Sequence, residues 1–510
     1  MRLFWLCLFL FIPGVHPGNL LAQQKDRPNI ILVFTDDLAF QAVSAYGHGL
    51  NRTPEIDRIA AEGMRFDRCV VTNSICAPSR ATVLTGKYSH LNGVYGNEPR
   101  PFDGQQQTFP KLLQDNGYQT AIIGKWHLGS EPTGFDHWEV MEGQGYYYNP
   151  TFLTENGQKT EQGYSVDVVR RLAIDWMEHQ RNQQEPFMLM VQFKAPHREW
   201  EPGPEHLTRY DEHLFPEPAT LFDNYEGRGS AAKNQEMTIA EHMVLEGDNK
   251  LYTETSRRGL GRSYHRMTEE QRRLWDSAYG PKNAAYYQAD LQGIDLVRWK
   301  YQRFMRDYMA VVASVDDNVG KLLDYLDQEG LADNTLLVFA SDQGFYLGEH
   351  GWFDKRWMYE QSFRTPLLVR WPAMIEPGSV NTDIVSNLDF AETFLEAARI
   401  KVPEDMQGRS LIPLFSGETP LDWRKSFYYH YYEGGGHGVP KHEGVYSDSL
   451  KLIDFYTLEE REMYDLRRDP HELYSVLENP LYKEEKEWLE KELLRLKSEL
   501  QVPSFKGTKH

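Results

Sequence analysis

The strongest constraint on the fold is a recurring kind of segment: a short, unbroken apolar run rich in β-formers that ends abruptly in polar residues. Residues 29–34 read Asn-Ile-Ile-Leu-Val-Phe and lead straight into Thr35-Asp36-Asp37. Similar runs occupy residues 120–123, 187–193, 335–340 and 366–369. A strand with one wet face alternates apolar and polar residues, so runs without alternation belong to strands covered on both faces. Helical patterns lie between them, clearest at residues 308–329, where Val312, Val315, Val319, Leu322, Leu323 and Leu326 share one face and Gly330 follows as a stop. Strands alternating with helices predict an α/β sandwich with a mostly parallel central sheet, these runs being its parallel strands.

A chain of 510 residues is too long for one compact core, and a large domain plus a smaller one is expected. Met1 and Arg2 precede an apolar stretch that reaches Leu20-Leu21-Ala22, the layout of a cleaved signal peptide over residues 1–22. Pro13, Gly14 and Pro17 break that stretch, and it falls short of the roughly twenty apolar residues of a membrane anchor. Cys7 sits inside the run rather than at its end, where a lipidation site would fall. The mature protein is therefore expected in the periplasm, outside the cell or in a lysosome-like compartment, with no membrane span. Residues 23–416 make the expected main domain, with a polar insertion at about 200–290 lying over its surface. Residues 417–510 make a smaller α+β part. In it, tyrosine-rich runs at 427–432, 444–446 and 450–456 predict a small antiparallel sheet, and Leu481, Leu489, Leu493, Leu496 and Leu500 predict a helix packed on it.

The formal net charge of −20 repels nucleic acid and anionic membranes, so an anionic ligand needs a local basic pocket. Beyond the leader the only cysteines are Cys69 and Cys76, which argues against a disulfide scaffold even in an oxidising compartment. A cysteine kept for chemistry explains Cys76 better than a single bridge.

In open α/β sheets ligands bind where the strands end. The residues leaving four of these strands are Asp36-Asp37, then Lys125 and His127 in Gly-Lys-Trp-His, then Pro196-His197, then Asp342-Gln343-Gly344. Each alone reads as a cap, a turn or a surface group. Together, three carboxylates and an amide oxygen form the hard-oxygen set preferred by calcium or magnesium, and two imidazoles with a lysine suit an anionic substrate. Cys76-Ala77-Pro78-Ser79-Arg80, followed by Leu84-Thr85-Gly86, reads as a helix with Pro78 in its first turn and Gly86 at its end. Cys76 then lies where exposed N–H groups favour negative charge, and Arg80 lies one turn on along the same face. A buried structural cysteine beside an ordinary capped helix is the plain alternative.

The intact Cys-x-Pro-Ser-Arg followed by Leu-Thr-Gly resembles the signature of the formylglycine-dependent sulfatases, and the resemblance extends from Arg27-Pro28-Asn29-Ile30 to about Pro480. It implies an alkaline-phosphatase-like sandwich. It implies that a formylglycine-generating maturation enzyme oxidises Cys76 to an aldehyde, which hydrates to a geminal diol. One hydroxyl of the diol attacks sulfur, and the second later collapses to the aldehyde and expels sulfate. Asp36, Asp37, Asp342 and Gln343 match the calcium ligands, with the oxidised Cys76 completing the set; the family more often has Asn where this chain has Gln343. Arg80 matches the residue that orients the diol. Lys125, His127, His197 and Lys355 match the groups around the sulfate, one histidine protonating the leaving oxygen.

Two rivals stand beside this reading: a phosphate or phosphonate ester hydrolase of the same superfamily, and a catalytically silent carbohydrate-binding protein. The run from Asp342 through Gly348-Glu349-His350-Gly351 to Asp354-Lys355-Arg356, with Phe363-Arg364-Thr365-Pro366, resembles sulfatases acting on glycosaminoglycans. Among those, N-acetylglucosamine-6-sulfatases come first and iduronate-2-sulfatases second, which implies a sulfated saccharide as partner. Between two expected strands, residues 434–442 form a glycine-rich loop bearing His437 and His442, candidates for hydrogen bonds to sugar hydroxyls. A solvent-exposed hairpin with incidental histidines is the alternative.

Overall fold

A computed structural model describes residues 27–97, 101–253 and 261–505. The expected signal peptide, with Cys7, lies outside the described residues. A ten-stranded sheet organises the main domain. Its strands in chain order are β1 (Asn29–Thr35), β2 (Met64–Phe66), β3 (Gln119–Lys125), β4 (His137–Met141), β5 (Thr151–Thr154), β6 (Gly157–Thr160), β7 (Phe187–Gln192), β8 (Thr335–Ser341), β9 (Leu367–Arg370) and β10 (Ser379–Asn381). Across the sheet they run β10-β2-β9-β8-β1-β7-β3-β4-β5-β6. The central strands β8, β1, β7, β3 and β4 are mutually parallel.

The unbroken apolar runs have the expected cause. Ile31 and Val33 of β1 enter a core shared with α2 (Ser165–Asp175) and α3 (Gly293–Gln328). Ile30, Leu32 and Phe34 face the opposite core, built with α1 (Cys76–Thr85) and α4 (Phe390–Ala397). Both faces of the strand are dry, so neither selects polar residues.

Three expectations are corrected. The run at 366–369 is a strand, β9, but it is antiparallel to β8, with Leu368 opposite Phe339. Two-faced burial sets the apolar pattern, and that pattern is blind to strand direction. The long helix starts at Gly293 rather than near 308, because its first half buries polar side chains that interrupt the apolar period. Lys300 Nζ there donates to the Ala240 and Met243 carbonyls, and Arg303 bonds the Asn249 carbonyl and the Asn283 side chain. The segment at 200–290 is no surface appendage: Trp200, Phe215, Ile239, Trp275 and Tyr279 belong to the main core. Its aromatic residues are spaced without a helical or strand period, which hides their burial in the sequence.

A four-stranded antiparallel sheet follows, made of β11 (Ser426–Tyr431), β12 (His442–Ser447), β13 (Leu450–Phe455) and β14 (Glu460–Asp465). Leu489, Leu493 and Leu496 of α5 (Lys483–Glu499) pack in the same cluster as its Val445, Leu452 and Met463. This sheet is tied to the main domain by backbone and side-chain bonds: His430 N donates to the Thr72 carbonyl (3.0 Å) and Tyr429 Oη to the Arg356 carbonyl (2.6 Å). At the start of α4, the buried carboxylate of Asp389 receives both guanidinium nitrogens of the mostly covered Arg424. Asp389→Ala leaves that cation unpaired and is expected to cost about 3–5 kcal/mol. The midpoint of urea unfolding checks it, and a loss below about 1 kcal/mol contradicts the role given to this pair.

Candidate active site

Four adjacent parallel strands end on one edge of the sheet, and that is why residues far apart in sequence meet. The edge of β1 delivers Asp36 and Asp37, β8 delivers Asp342 and Gln343, β3 ends in Lys125, and the turn after β7 brings His197. Asp37 and His127 adopt left-handed backbone angles (φ 66° and 55°), which turn the chain sharply as it leaves its strand. After Gln343 the chain runs so close to its neighbours that a Cβ on Gly344 would lie 2.1 Å from the Arg364 carbonyl. Only glycine fits that turn.

Helix α1 enters from the side. Cys76 is its first residue and Gly86 ends it in the left-handed region (φ 63°). The helix is pinned by Ser79, whose hydroxyl donates to the Asp342 carbonyl and accepts from Asn387 Nδ2 (2.8 Å). Cys76 Sγ lies 3.3 Å from Asp36 Oδ1 and 3.8 Å from Gln343 Nε2. Arg80 is fully engaged: it reaches Asp342 Oδ2 through Nε and Nη2 (3.2 and 3.0 Å), the Lys125 carbonyl (3.0 Å) and Gln192 Oε1 (2.6 Å).

The oxygens of Asp36, Asp37 and Asp342 all lie within 4.8 Å of one another, in a fully buried position. Asp37 N also donates to Asp342 Oδ1 (3.1 Å). Such crowding has an electrostatic consequence. Burial and the Asp36 carboxylate push Asp342 up to about 8. Burial alone would raise Asp36, but the cations Lys125, Arg80 and Lys355 hold it well below the usual range. Gln343 donates its amide N–H to Asp37, yet its Oε1 is buried with no hydrogen-bond partner. Three carboxylates around an orphaned amide oxygen fit a hard divalent cation, which would let all three ionise together.

The cationic side of the site is equally dense. Lys125 Nζ bonds Asp36 and Gln144 Oε1 (2.6 Å), and Lys355 Nζ bonds Asp37 Oδ2 (2.6 Å). His197 donates Nδ1–H to the Arg198 carbonyl (2.5 Å), which leaves Nε2 facing Asp37 Oδ2 at 3.8 Å. Burial and Lys125 push His127 down to about 2 and hold His197 well below its ordinary value, so both rings are neutral in the resting site. Burial and Asp36 push the Cys76 thiol up, far from the thiolate range. An unmodified Cys76 is thus a poor nucleophile.

The structure separates the two loop histidines. His437 is half-buried at the rim, with Nε2 3.4 Å from Asp354 Oδ2. His442, expected to contact substrate, begins β12 and is wholly buried. It bonds the Pro440 carbonyl through Nδ1 (2.8 Å) and packs among Trp357, Tyr429, Tyr431 and Phe455, so a sugar cannot reach it. Alternation along the strand, invisible inside a glycine-rich stretch, turned it inward.

Several residues were not singled out by the sequence pattern. Gln192 ends β7 and was open to the same strand-end reasoning as Asp36. Gln144, Asp354 and Arg356 had no such signal. The last two flank Lys355 with left-handed angles rare outside glycine (φ 83° and 91°), and Arg356 bonds Asp354 while its Nε is buried without a partner. Backbone strain of this kind clusters at functional sites.

Residues 28–400 match the sulfatase family, and residues 348–499 match the C-terminal region of N-sulphoglucosamine sulphohydrolase. The chain is 49% identical over 492 residues to an N-acetylglucosamine-6-O-sulfatase of Bacteroides thetaiotaomicron, covering 94% of this chain and 87% of that protein. It is 29% identical to the human N-acetylglucosamine-6-sulfatase, with 85% of this chain and 71% of that protein covered. The solved structure of BT4656 in complex with its substrate D-glucosamine-2-N,6-O-disulfate superposes with a TM-score of 0.92 at 47% identity, covering 95% of this chain and 100% of that one.

Proposed function

This chain belongs to the sulfatase family, and from that membership we propose that it removes the 6-O-sulfate from a glucosamine residue of a glycosaminoglycan-type saccharide, using a formylglycine made from Cys76 and one calcium ion. It is a sulfuric ester hydrolase. The observation that carries the mechanistic reading is the meeting of Cys76, at the N-terminus of α1, with the buried oxygens of Asp36, Asp37, Asp342 and Gln343.

The hydrated side chain formed from Cys76 supplies the hydroxyl that attacks sulfur. Asp36, Asp37, Asp342 and Gln343 would hold the calcium ion, which would supply Lewis-acid charge at this position. Arg80 cannot swing away, since its hydrogen bonds run to groups on three different strands, and it keeps a fixed cation beside the nucleophile. Lys125 and Lys355 each have a donor left over for a sulfate oxygen after bonding their carboxylates. His127 is half-buried and its Nδ1 has no hydrogen-bond partner, which leaves that nitrogen for a sulfate oxygen. The His197 tautomer is fixed by Arg198, so Nε2 is the atom that carries a proton to the leaving sugar oxygen. The negative charge of the bound sulfate ester favours the imidazolium, so Nε2 takes up a proton from solvent on binding and gives it to the departing sugar oxygen.

The sugar itself is read from the rim. Asp354, Arg356 and His437 stand beside Lys355; Asp354 offers an acceptor and Arg356 a donor to ring hydroxyls, while His437, its Nδ1–H given to the Glu236 carbonyl (3.1 Å), turns Nε2 toward Asp354. His437→Ala is expected to lower kcat/KM by about 10-fold or more through its lost contact with Asp354. His442→Ala is expected to lower stability while leaving KM within about twofold, since that ring packs inside the small sheet. Steady-state kinetics with a thermal melt on both variants check this pair, and a selective KM effect in His442→Ala contradicts the placement.

Export is part of the same proposal: residues 1–22 carry the signal-peptide pattern, and among the described residues no helix is long and apolar enough to cross a membrane. A maturation enzyme acting on Cys76 is the implied partner. Sulfate release from glucosamine 6-sulfate, galactose 6-sulfate, uronate 2-sulfate and an aryl phosphate tests the function. Preference for the sulfated galactose, the sulfated uronate or the phosphate contradicts it.

A further inference from the structure

The sheet edge beyond β3 builds a second concavity that the sulfate chemistry does not use. Val140 of β4 pairs with Leu153 of β5, which pairs with Gln158 of β6, so the three lie in one row across the strands. Trp138, two residues before Val140, shares its face. Trp126, just past the end of β3, and Leu128, in the segment leaving it, join them, and together these residues wall a cavity of about 690 Å³. Its inner end is formed by Ala77 and His127. Ala77 is the residue after Cys76, and its N–H is fixed by Asn97 Oδ1 (3.0 Å), another residue of the cavity wall. The concavity therefore adjoins the position of the sulfate through Ala77 and His127, and its wall residue Asn97 donates its N–H to Glu433 Oε1 (2.6 Å).

We propose that this cavity is the subsite for the sugar joined to the sulfated glucosamine, and that it takes a neutral hexose in preference to a uronate. The proposal rests on the sulfatase reading above. The volume exceeds one pyranose ring and lies in the usual range of about 300–1,000 Å³ for ligand pockets. An apolar floor of tryptophan, valine and leucine meets the C–H face of a hexose. Hydroxyls at the ring edge reach the polar rim, where Ser130, Thr154 and Gln158 stand. A uronate carboxylate would lose hydration against that floor and face the exposed Glu131 carboxylate at the rim.

Three ligands test it: 6-sulfated N-acetylglucosamine alone, the same residue linked to galactose, and the same residue linked to a uronic acid. The galactose-linked substrate is expected to show about 10-fold higher kcat/KM than the monosaccharide, and the uronate-linked one no gain. Gln158→Trp on the exposed β5–β6 hairpin fills the cavity, and Leu153→Trp fills it from the neighbouring strand. Both are expected to erase the galactose advantage to within about twofold while leaving the monosaccharide rate unchanged. Equal rates on monosaccharide and galactose disaccharide overturn the subsite, and so does an undiminished advantage in both variants. A higher rate on the uronate-linked ligand overturns the neutral assignment. If none of the three ligands is desulfated, the sulfatase reading fails instead, and calorimetric affinities of the same three ligands then decide the cavity by the same order.

Discussion

Cys76→Ser is expected to lower steady-state turnover by about 10⁴-fold or more while the protein folds normally. The residue is fully buried at the first position of α1, and serine keeps both its volume class and its hydrogen bond to Asp36. A serine hydroxyl can accept sulfate from the sugar, breaking the S–O bond to the leaving oxygen. It has no second hydroxyl whose deprotonation would expel that sulfate again. The expected product is a protein sulfated once on the introduced serine and then stalled, visible as a stoichiometric mass gain after incubation with substrate. Turnover within about 10-fold of the parent enzyme contradicts a diol nucleophile.

Asp342→Ala is the second large effect, because Asp342 serves two groups at once. Its carboxylate belongs to the buried oxygen cluster and also receives two nitrogens of Arg80. Removing it lowers the donor count for the proposed calcium ion and releases the guanidinium beside Cys76. Bound calcium is expected to fall from about one per chain to below about 0.1, and kcat/KM by about 10³-fold or more, in the same variant. Elemental analysis of the purified protein, alongside kinetics, reads both. Retained calcium with lost activity would assign Asp342 to Arg80 alone, and full activity in metal-free protein contradicts the ligand set. The crowding that pushes Asp342 up to about 8 gives the reason for this sensitivity: without a cation, three buried carboxylates at this spacing do not all ionise.

Much of the architecture was legible because two-faced burial writes itself into sequence as unbroken apolar runs. β1, β3, β7 and β8 were readable from that cause alone, and the strand-end rule then pointed to Asp36, Asp37, Lys125 and Asp342. Direction was not legible for β9, because burial is the same for parallel and antiparallel neighbours. Nor was the burial of Trp200, Trp275 and Tyr279, since irregular segments fill space without a period. At the site, motif spacing named residues whose side chains the structure brings together, but it was silent on the loop residues that surround them. Asp354 and Arg356 depend on left-handed backbone angles that no local pattern announces for such residues. His442 shows the converse: a histidine in a glycine-rich stretch looked accessible, and a strand register invisible from the sequence turned it into the core of the small sheet.

The central claim is that Cys76 works as its oxidation product. Mass spectrometry of the peptide containing Cys76, taken from enzyme whose sulfate-releasing activity has been measured, tests it most directly. The expected result is a peptide in which the thiol sulfur has been replaced by a carbonyl oxygen, in a fraction that rises in step with specific activity. A fully active preparation carrying only the unmodified thiol would contradict it.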